Sequence, residues 1–255
     1  MDFIVSGMTD IGLTKNTNQD SFNVRVFTTP VGRVALAVLC DGMGGLSRGE
    51  IASASVVNAF VKWSETKLPE ALSGMTAQAD VHHDWAEIVK TMNRKIYEYG
   101  ARMGSAVGTT VTALLLTEDW YSLINVGDSR AYEIQQNANI LTRDQTLVAQ
   151  EVALGHMTQE QAKLDPRRNV LLECVGATDD VRPDFYIGKT RQDAVYMLCS
   201  DGFRHEITPE EITCYFSPQV MLSADAMERQ MAQLIAINKE RRERDNITVI
   251  TIRTF

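Results

Sequence analysis

With 255 residues, 44% of them apolar, the chain can bury a sizeable core, and one large domain is a more natural reading than two small ones. A net charge of −8 argues against a surface built to neutralise nucleic-acid phosphates or to lie on anionic lipid. No apolar stretch approaches the ~20 residues that span a bilayer, the opening MDFIVSGMTDIG lacks a basic leader, and Cys40, Cys174, Cys199 and Cys214 lack metal-type pairing; a soluble cytoplasmic monomer with reduced thiols is the expectation.

In chain order, residues 33–40 (RVALAVLC) form the first β-rich apolar run bounded by turn residues. Ala52, Val56, Ala59, Phe60 and Trp63, then Trp85, Ile88, Met92, Ile96 and Tyr99, follow with helical spacing. Strand-like runs return at 110–117 (TVTALLLT) and 121–126 (YSLINV). A less regular polar stretch covers 143–193, followed by a strand at 194–199 (AVYMLC), a helix carrying Met227, Met231, Leu234 and Ile235, and a last strand at 247–252 (ITVITI). Strands that follow one another without intervening helices favour antiparallel sheets with layered helices over a doubly wound parallel fold.

The aspartates fall at the ends of these strands. Asp41 follows VALAVLC, Asp128 follows SLINVG, Asp201 follows YMLCS, Asp245 precedes NITVITI, and Asp20 lies in an early NQDS segment. Brought to one edge, five carboxylates repel one another at a cost that cations relieve. Hard oxygen donors with no histidine or cysteine cluster beside them favour Mg²⁺ or Mn²⁺ over Zn²⁺ or Cu²⁺. Taken singly, each acid also reads as a turn: Asp-Gly at 41–42 and 201–202 is a hairpin dipeptide, GDS at 127–129 a cap, Asp245-Asn246 a loop corner. The ensemble points to metal. Gly42, Gly44 and Gly45 would let backbone approach an ion or phosphate, with the Gly42 carbonyl a ligand in its own right.

Eight segments in order, TDIGLTKNTNQDSF, VLCDGMGGLSRGEIAS, AVGTTVTALLL, INVGDSRAY, LTRDQT, RNVLLECVGA, MLCSDGF and ERDNITVI, make the chain resemble the metal-dependent type 2C protein serine/threonine phosphatases in their compact bacterial form, nearly end to end. The resemblance implies an α+β fold, a four-layer α-β-β-α sandwich with two central antiparallel sheets. It also implies one phosphatase domain over 1–255, with a variable flap at 143–193 that influences substrate choice. It assigns Asp41 as the bridging metal ligand with the Gly42 carbonyl, Asp201 and Asp245 as ligands of the second of two Mn²⁺ or Mg²⁺ ions, and Asp20 as a ligand through water. Asp128, with Asp201, matches the holder of a weaker third ion in some members, and Asn246 an outer-shell position. The implied activity, a step in signal transduction, is hydrolysis of phosphoserine and phosphothreonine on proteins by a metal-activated water attacking phosphorus in line. Partners would be phosphorylated proteins, including a Ser/Thr kinase and its substrates.

Three positions depart from the commoner pattern. Lys15 stands where many relatives carry an arginine that grips the substrate phosphate; lysine keeps the charge and loses the fork. It reads as a catalytic-site phosphate contact or as a solvated loop lysine, with Arg48 a substitute. Met43 replaces a histidine suggested as general acid and cannot donate a proton. Gln145 replaces a frequent histidine and reads as structural. His82 and His83, adjacent in a polar loop, read as surface residues, KERRERD at 239–245 as a solvated helix end, and Arg167 and Arg168 as a solvated corner within the flap, with contact to a phosphopeptide the alternative. Two rivals oppose the phosphatase reading. A serine hydrolase would use Ser200 or Ser129 with His205 or His156, but there is no G-x-S-x-G elbow. A catalytically dead relative serving as a phosphoprotein-binding regulatory module would be expected to lose a metal aspartate, and Asp20, Asp41, Asp201 and Asp245 are all present.

Overall fold

A computed structural model describes residues 1–44 and 48–255. Gly45, grouped above with Gly42 and Gly44, lies outside the described residues. The chain opens with β1 (Phe3–Asp10), β2 (Asp20–Thr29) and β3 (Gly32–Gly44), then α1 (Gly49–Thr66), α2 (Leu68–Ala71) and α3 (Ala77–Met103). Five strands follow: β4 (Val107–Thr109), β5 (Val111–Leu116), β6 (Trp120–Val126), β7 (Arg130–Ile134) and β8 (Ala138–Ile140). Two short helices, α4 (Leu147–Ala153) and α5 (Gln159–Leu164), precede β9 (Asp184–Lys189) and β10 (Val195–Cys199). The chain ends with α6 (Asp201–Arg204), α7 (Pro209–Phe216), α8 (Ala224–Glu240) and β11 (Ile247–Thr254).

One sheet runs β1-β11-β10-β7-β8 and the other β2-β3-β5-β6-β9 with β4 beside β3, and all pairings are antiparallel. Three apolar layers make the stack. Val34, Leu36 and Val38 of β3 pack under Phe60 and Trp63 of α1 and Trp85 of α3. Ala35, Ala37 and Leu39 face the other way, against Tyr196, Leu198, Ile250 and Ile252 of the opposite sheet. Val195, Met197 and Val249 pack under Phe203, Phe216 and Met231. This is the expected four-layer α-β-β-α sandwich. Because β3 and β5 are covered on both faces, they read as continuous apolar runs with no alternation.

The outer strands explain what the periodicity missed. β1 and β2 carry partly exposed residues along most of their length, so polar side chains interrupt their apolar pattern. β9 falls inside the stretch expected to be irregular, yet it pairs with β6 and forms a sheet edge. His82 and His83 stand in α3, not in a loop; His82 packs on Phe185 with ring centroids 4.6 Å apart and meets Ser122 Oγ at 3.2 Å. Apolar residues spaced three and four apart around the pair extend the helix through it. The four thiols are free, three of them buried. Among the described residues no helix is long and apolar enough to cross a membrane.

Candidate metal centre

Strand alternation sets where the acids point. Residues 35, 37 and 39 of β3 face the space between the sheets, so Asp41 continues that row and emerges at its end. Asp20 lies opposite Asp41 in the β2–β3 register, on the face shared with Phe22 and Val24. The Asp41 backbone is fixed by the junction of β4 and β5: its N–H donates to Thr110 Oγ1 at 2.9 Å, and its carbonyl accepts from Thr110 N–H at 2.8 Å and Thr109 Oγ1 at 2.9 Å. At Gly42 any Cβ would strike the Gln19 carbonyl and the backbone of Gly49, so only glycine lets α1 close on this point. Asp128 lies in the crossover from β6 of one sheet to β7 of the other, where Gly127 takes φ +101° with Thr110 packed against it. Asp201 opens α6 directly after β10, and Asp245 precedes β11.

Asp41, Gly42, Asp128, Asp201 and Asp245 therefore line one cleft of about 250 Å³, together with Lys15. Asp20 does not line this cleft; it is buried, its Oδ2 accepting from Thr248 Oγ1 at 2.5 Å. Desolvation and the charges of Asp20, Asp201 and Asp128 push the Asp41 carboxyl well above the ordinary carboxylate range. Burial, with Asp201 adding repulsion against the Thr248 hydrogen bond, pushes Asp20 up to about 7. Burial and Asp201 do the same for Asp128, also about 7, with Arg204 pulling the other way.

Among the described residues no three acid, imidazole or thiol groups form a ready-made ion cage. Three of the four cleft acids turn instead to a basic side chain of the protein itself. Lys15 Nζ is 2.7 Å from Asp245 Oδ1, Arg204 Nη2 is 3.3 Å from Asp128 Oδ2, and His205 Nε2 is 3.6 Å from Asp201 Oδ2. Asp41 has no such partner among the described residues. The Oδ1 atoms of Asp20 and Asp201 are buried without a hydrogen-bond partner. Buried, unpartnered carboxylate oxygens in an oxygen-only donor set fit a hard divalent cation.

The neighbours of the acids act as braces. Asn246 Nδ2 donates to the Ile11 carbonyl at 2.9 Å, its Oδ1 accepts from Gln19 N–H at 2.9 Å, and it thereby ties the loop carrying Lys15 to β11. Gln145 is structural: its Oε1 accepts from Gly127 N–H and its own N–H donates to the Gly127 carbonyl, both at 2.9 Å. Arg48, offered above as a second phosphate contact, begins the turn into α1 and is not among the residues lining the cleft. Ser129 is buried against Thr110, Ser200 accepts from Thr248 N–H, His156 is exposed beside Glu151 and His205 lies against Asp201 and Glu243, so neither candidate serine is paired with either candidate histidine. Arg167 turns back onto Asp165 at 2.9 Å, while Asn169 and Leu171 reach the cleft.

Sequence reasoning missed two supports. Glu243, read as part of a solvated helix end, is buried; its Oε1 accepts the N–H groups of Arg244 and Asp245, and its Oε2 lies 3.4 Å from His205 Nδ1. His205 thus links Asp201 to the turn that presents Asp245, and its position four residues after Asp201 was the only signal available. The second support is Arg204, with Asp144 behind it.

Such a cluster of aspartates at one end of a β-sandwich defines a class of acid-rich cation sites on a four-layer fold. The protein phosphatase 2C family model matches residues 14–237, and the chain belongs to this family of metal-dependent proteins. It is 31% identical over 252 residues to a Streptococcus pyogenes protein described as protein phosphatase 2C-type, covering 97% of this chain and 96% of that one. The serine/threonine phosphatase of S. agalactiae superposes with a TM-score of 0.85 at 30% identity, covering 100% of both chains. The catalytic domain of the serine/threonine protein phosphatase PstP, solved with two manganese ions, superposes with a TM-score of 0.77 at 26% identity, covering 98% of this chain and 97% of that domain.

Proposed function

We propose that this chain is a protein serine/threonine phosphatase that removes phosphate from phosphoserine and phosphothreonine side chains with two bound Mn²⁺ or Mg²⁺ ions. One observation carries the reading: four aspartates from distant segments line a single cleft, and burial and the neighbouring acids oppose the ionisation of two of them, Asp41 and Asp128. Asp41, the Gly42 carbonyl, Asp201 and Asp245 would hold the ions, with Asp20 contributing through water. When bound, the ions supply Lewis acidity that makes water nucleophilic near neutral pH and offset charge on the phosphoryl oxygens.

The remaining chemistry belongs to side chains of the chain. Lys15, half exposed at the cleft mouth, exchanges its contact with Asp245 for a phosphoryl oxygen of the substrate. Its ammonium keeps its proton: burial works against the charge, but Asp245, Asp41 and Asp201 outweigh it. Met43 lines the cleft without a transferable proton, so the leaving alkoxide takes its proton from solvent or another donor. Thr109 and Thr110 hold Asp41, and Asn246 holds the Lys15 loop, so the first contacts are set before substrate arrives.

We take residues 1–255 as one phosphatase domain, with 143–193 the flap that sets substrate choice; Asn169 and Leu171 at the cleft support this. Substrates are phosphoproteins, including a Ser/Thr kinase and its targets, in a cytoplasmic setting that suits four free thiols. The presence of all four metal aspartates leaves the regulatory-module reading without support. The test is hydrolysis of p-nitrophenyl phosphate and a phosphothreonine peptide: turnover that depends on Mn²⁺ and is lost with chelator and in Asp41→Asn supports the reading, and peptide binding without turnover overturns it.

A further inference from the structure

Arg204 is anticipated by neither the acid pattern nor the family resemblance. It follows Asp201 by three residues on the single turn of α6, a spacing that puts both side chains on one side of the helix. Its Nη2 donates to the Asp128 backbone carbonyl at 3.1 Å and to Asp128 Oδ2 at 3.3 Å, and lies 3.4 Å from Asp144 Oδ2. Asp144 in turn accepts two N–H bonds from Arg130, at 2.8 and 2.7 Å. The four side chains form a row, Asp128–Arg204–Asp144–Arg130, in which two carboxylates and two guanidinium groups balance without any outside ion.

This row bears on the third, weaker cation that some relatives hold with the counterparts of Asp128 and Asp201. Here the residues do not fit such an ion. The Asp128 carboxylate already faces a guanidinium, a group that keeps its proton in proteins. That guanidinium is held from two sides, by Asp128 and by Asp144, on a helix turn and largely shielded from solvent. A divalent ion brought to Asp128 would meet a fixed positive charge at contact distance.

We propose that Arg204 is a built-in cation standing where a third metal ion would bind, so that this chain takes two ions and uses Asp128 as a positioning anchor instead of a metal ligand. Through Arg204, the crossover between the sheets at Asp128 is tied to the helix turn that presents Asp201, and the geometry of a candidate ligand is set by a protein charge. The inference rests on the two-ion phosphatase reading given above.

The experiment counts Mn²⁺ bound per chain by equilibrium dialysis, with free Mn²⁺ followed by its EPR signal up to millimolar concentration. Two ions per wild-type chain, an unchanged count in Asp128→Asn, and an additional weak ion in Arg204→Ala that disappears in Arg204→Ala/Asp128→Asn support the proposal. Arg204→Lys, which keeps the charge, should keep the count at two. Three ions in the wild type with one lost in Asp128→Asn overturn it while leaving the phosphatase reading intact. No bound Mn²⁺ at all overturns that reading and this inference with it. Should Arg204→Ala fail to fold, wild type against Asp128→Asn still decides.

Discussion

The mouth and the floor of the acid cleft each pair an aspartate with a cation of the chain, and the two pairs differ in kind. At the mouth, Lys15 meets Asp245 at 2.7 Å with 38% of its side chain exposed, on a loop. At the floor, Arg204 meets Asp128 at the longer distance of 3.3 Å, but its side chain is only 13% exposed and Asp144 holds it from behind. Distance alone would rank the lysine contact first. Burial and the number of anchors reverse the order: an exposed pair contributes about 0.2–1 kcal/mol and exchanges readily, whereas breaking a buried pair costs about 3–5 kcal/mol because the partner charge is left stranded. The mouth pair can open for a substrate phosphate, and the floor pair is part of the framework. Asp41 has no cationic partner among the described residues and is the place where an added ion gains most.

The largest expected effect falls on Asp41. Asp41→Asn should lower Mn²⁺-dependent kcat roughly a thousand-fold, the scale on which one preorganised charge-stabilising group is felt. In chelator the same variant should melt at a higher temperature than wild type, because one repelling carboxylate is gone; a lower melting temperature would contradict the repulsion argument.

Next comes the floor. Arg204→Ala should cost about 3–5 kcal/mol in urea unfolding, and adding Asp128→Asn should recover part of the loss. Equal stability of Arg204→Ala and wild type would show that the buried pair is no more permanent than the one at the mouth.

The pH dependence distinguishes framework from ion site on a smaller scale. Asp20 and Asp128 titrate near 7 in the folded chain against an ordinary value of 3.8. Between those values the folded state binds more protons than the unfolded state, so stability falls as the pH rises. The contribution is complete below about 3.8 and lost as the pH passes about 7. Scanning calorimetry in chelator should therefore give a melting temperature that drops between pH 5 and 7.5, each kcal/mol moving it by roughly 2–4 °C. Saturating Mn²⁺ should weaken the part of the trend that Asp20 contributes and leave the part from Asp128, since ions favour the deprotonated carboxylates around their own site.

The smallest change in stability belongs to the mouth. Lys15→Ala should alter unfolding free energy by less than about 1 kcal/mol yet raise KM for a phosphothreonine peptide about ten-fold, the equivalent of about 1.4 kcal/mol of lost charge-assisted contact. Lys15→Arg should recover the loss. Unchanged kcat/KM in both variants would return Lys15 to the status of a solvated loop residue.

Much of the fold was legible because the central strands β3, β5, β6, β10 and β11 are covered on both faces and stand out as unbroken apolar runs. The edge strands were hidden for the converse reason: β2 and β9 are half wet, and their polar residues resemble loop. Of the site, the positions of the aspartates at strand ends were readable residue by residue. Glu243 was not, since a buried acid inside KERRERD has the same local composition as a solvated one, and only the arrival of His205 from α6 gives it a partner. Arg204 was hidden likewise, because its partners lie 60 and 76 positions earlier in the chain.

By itself the sequence determined which segments are strands or helices in the core, that five aspartates end or flank those strands, and that their oxygen-only chemistry suits hard cations. Those are local properties, written in periodicity and residue type. Tertiary structure decided which acids share the cleft, that Asp20 stands apart from its lining, and which cation each acid meets. Pairing of charges depends on distance and burial between elements far apart along the chain, and no local pattern encodes either.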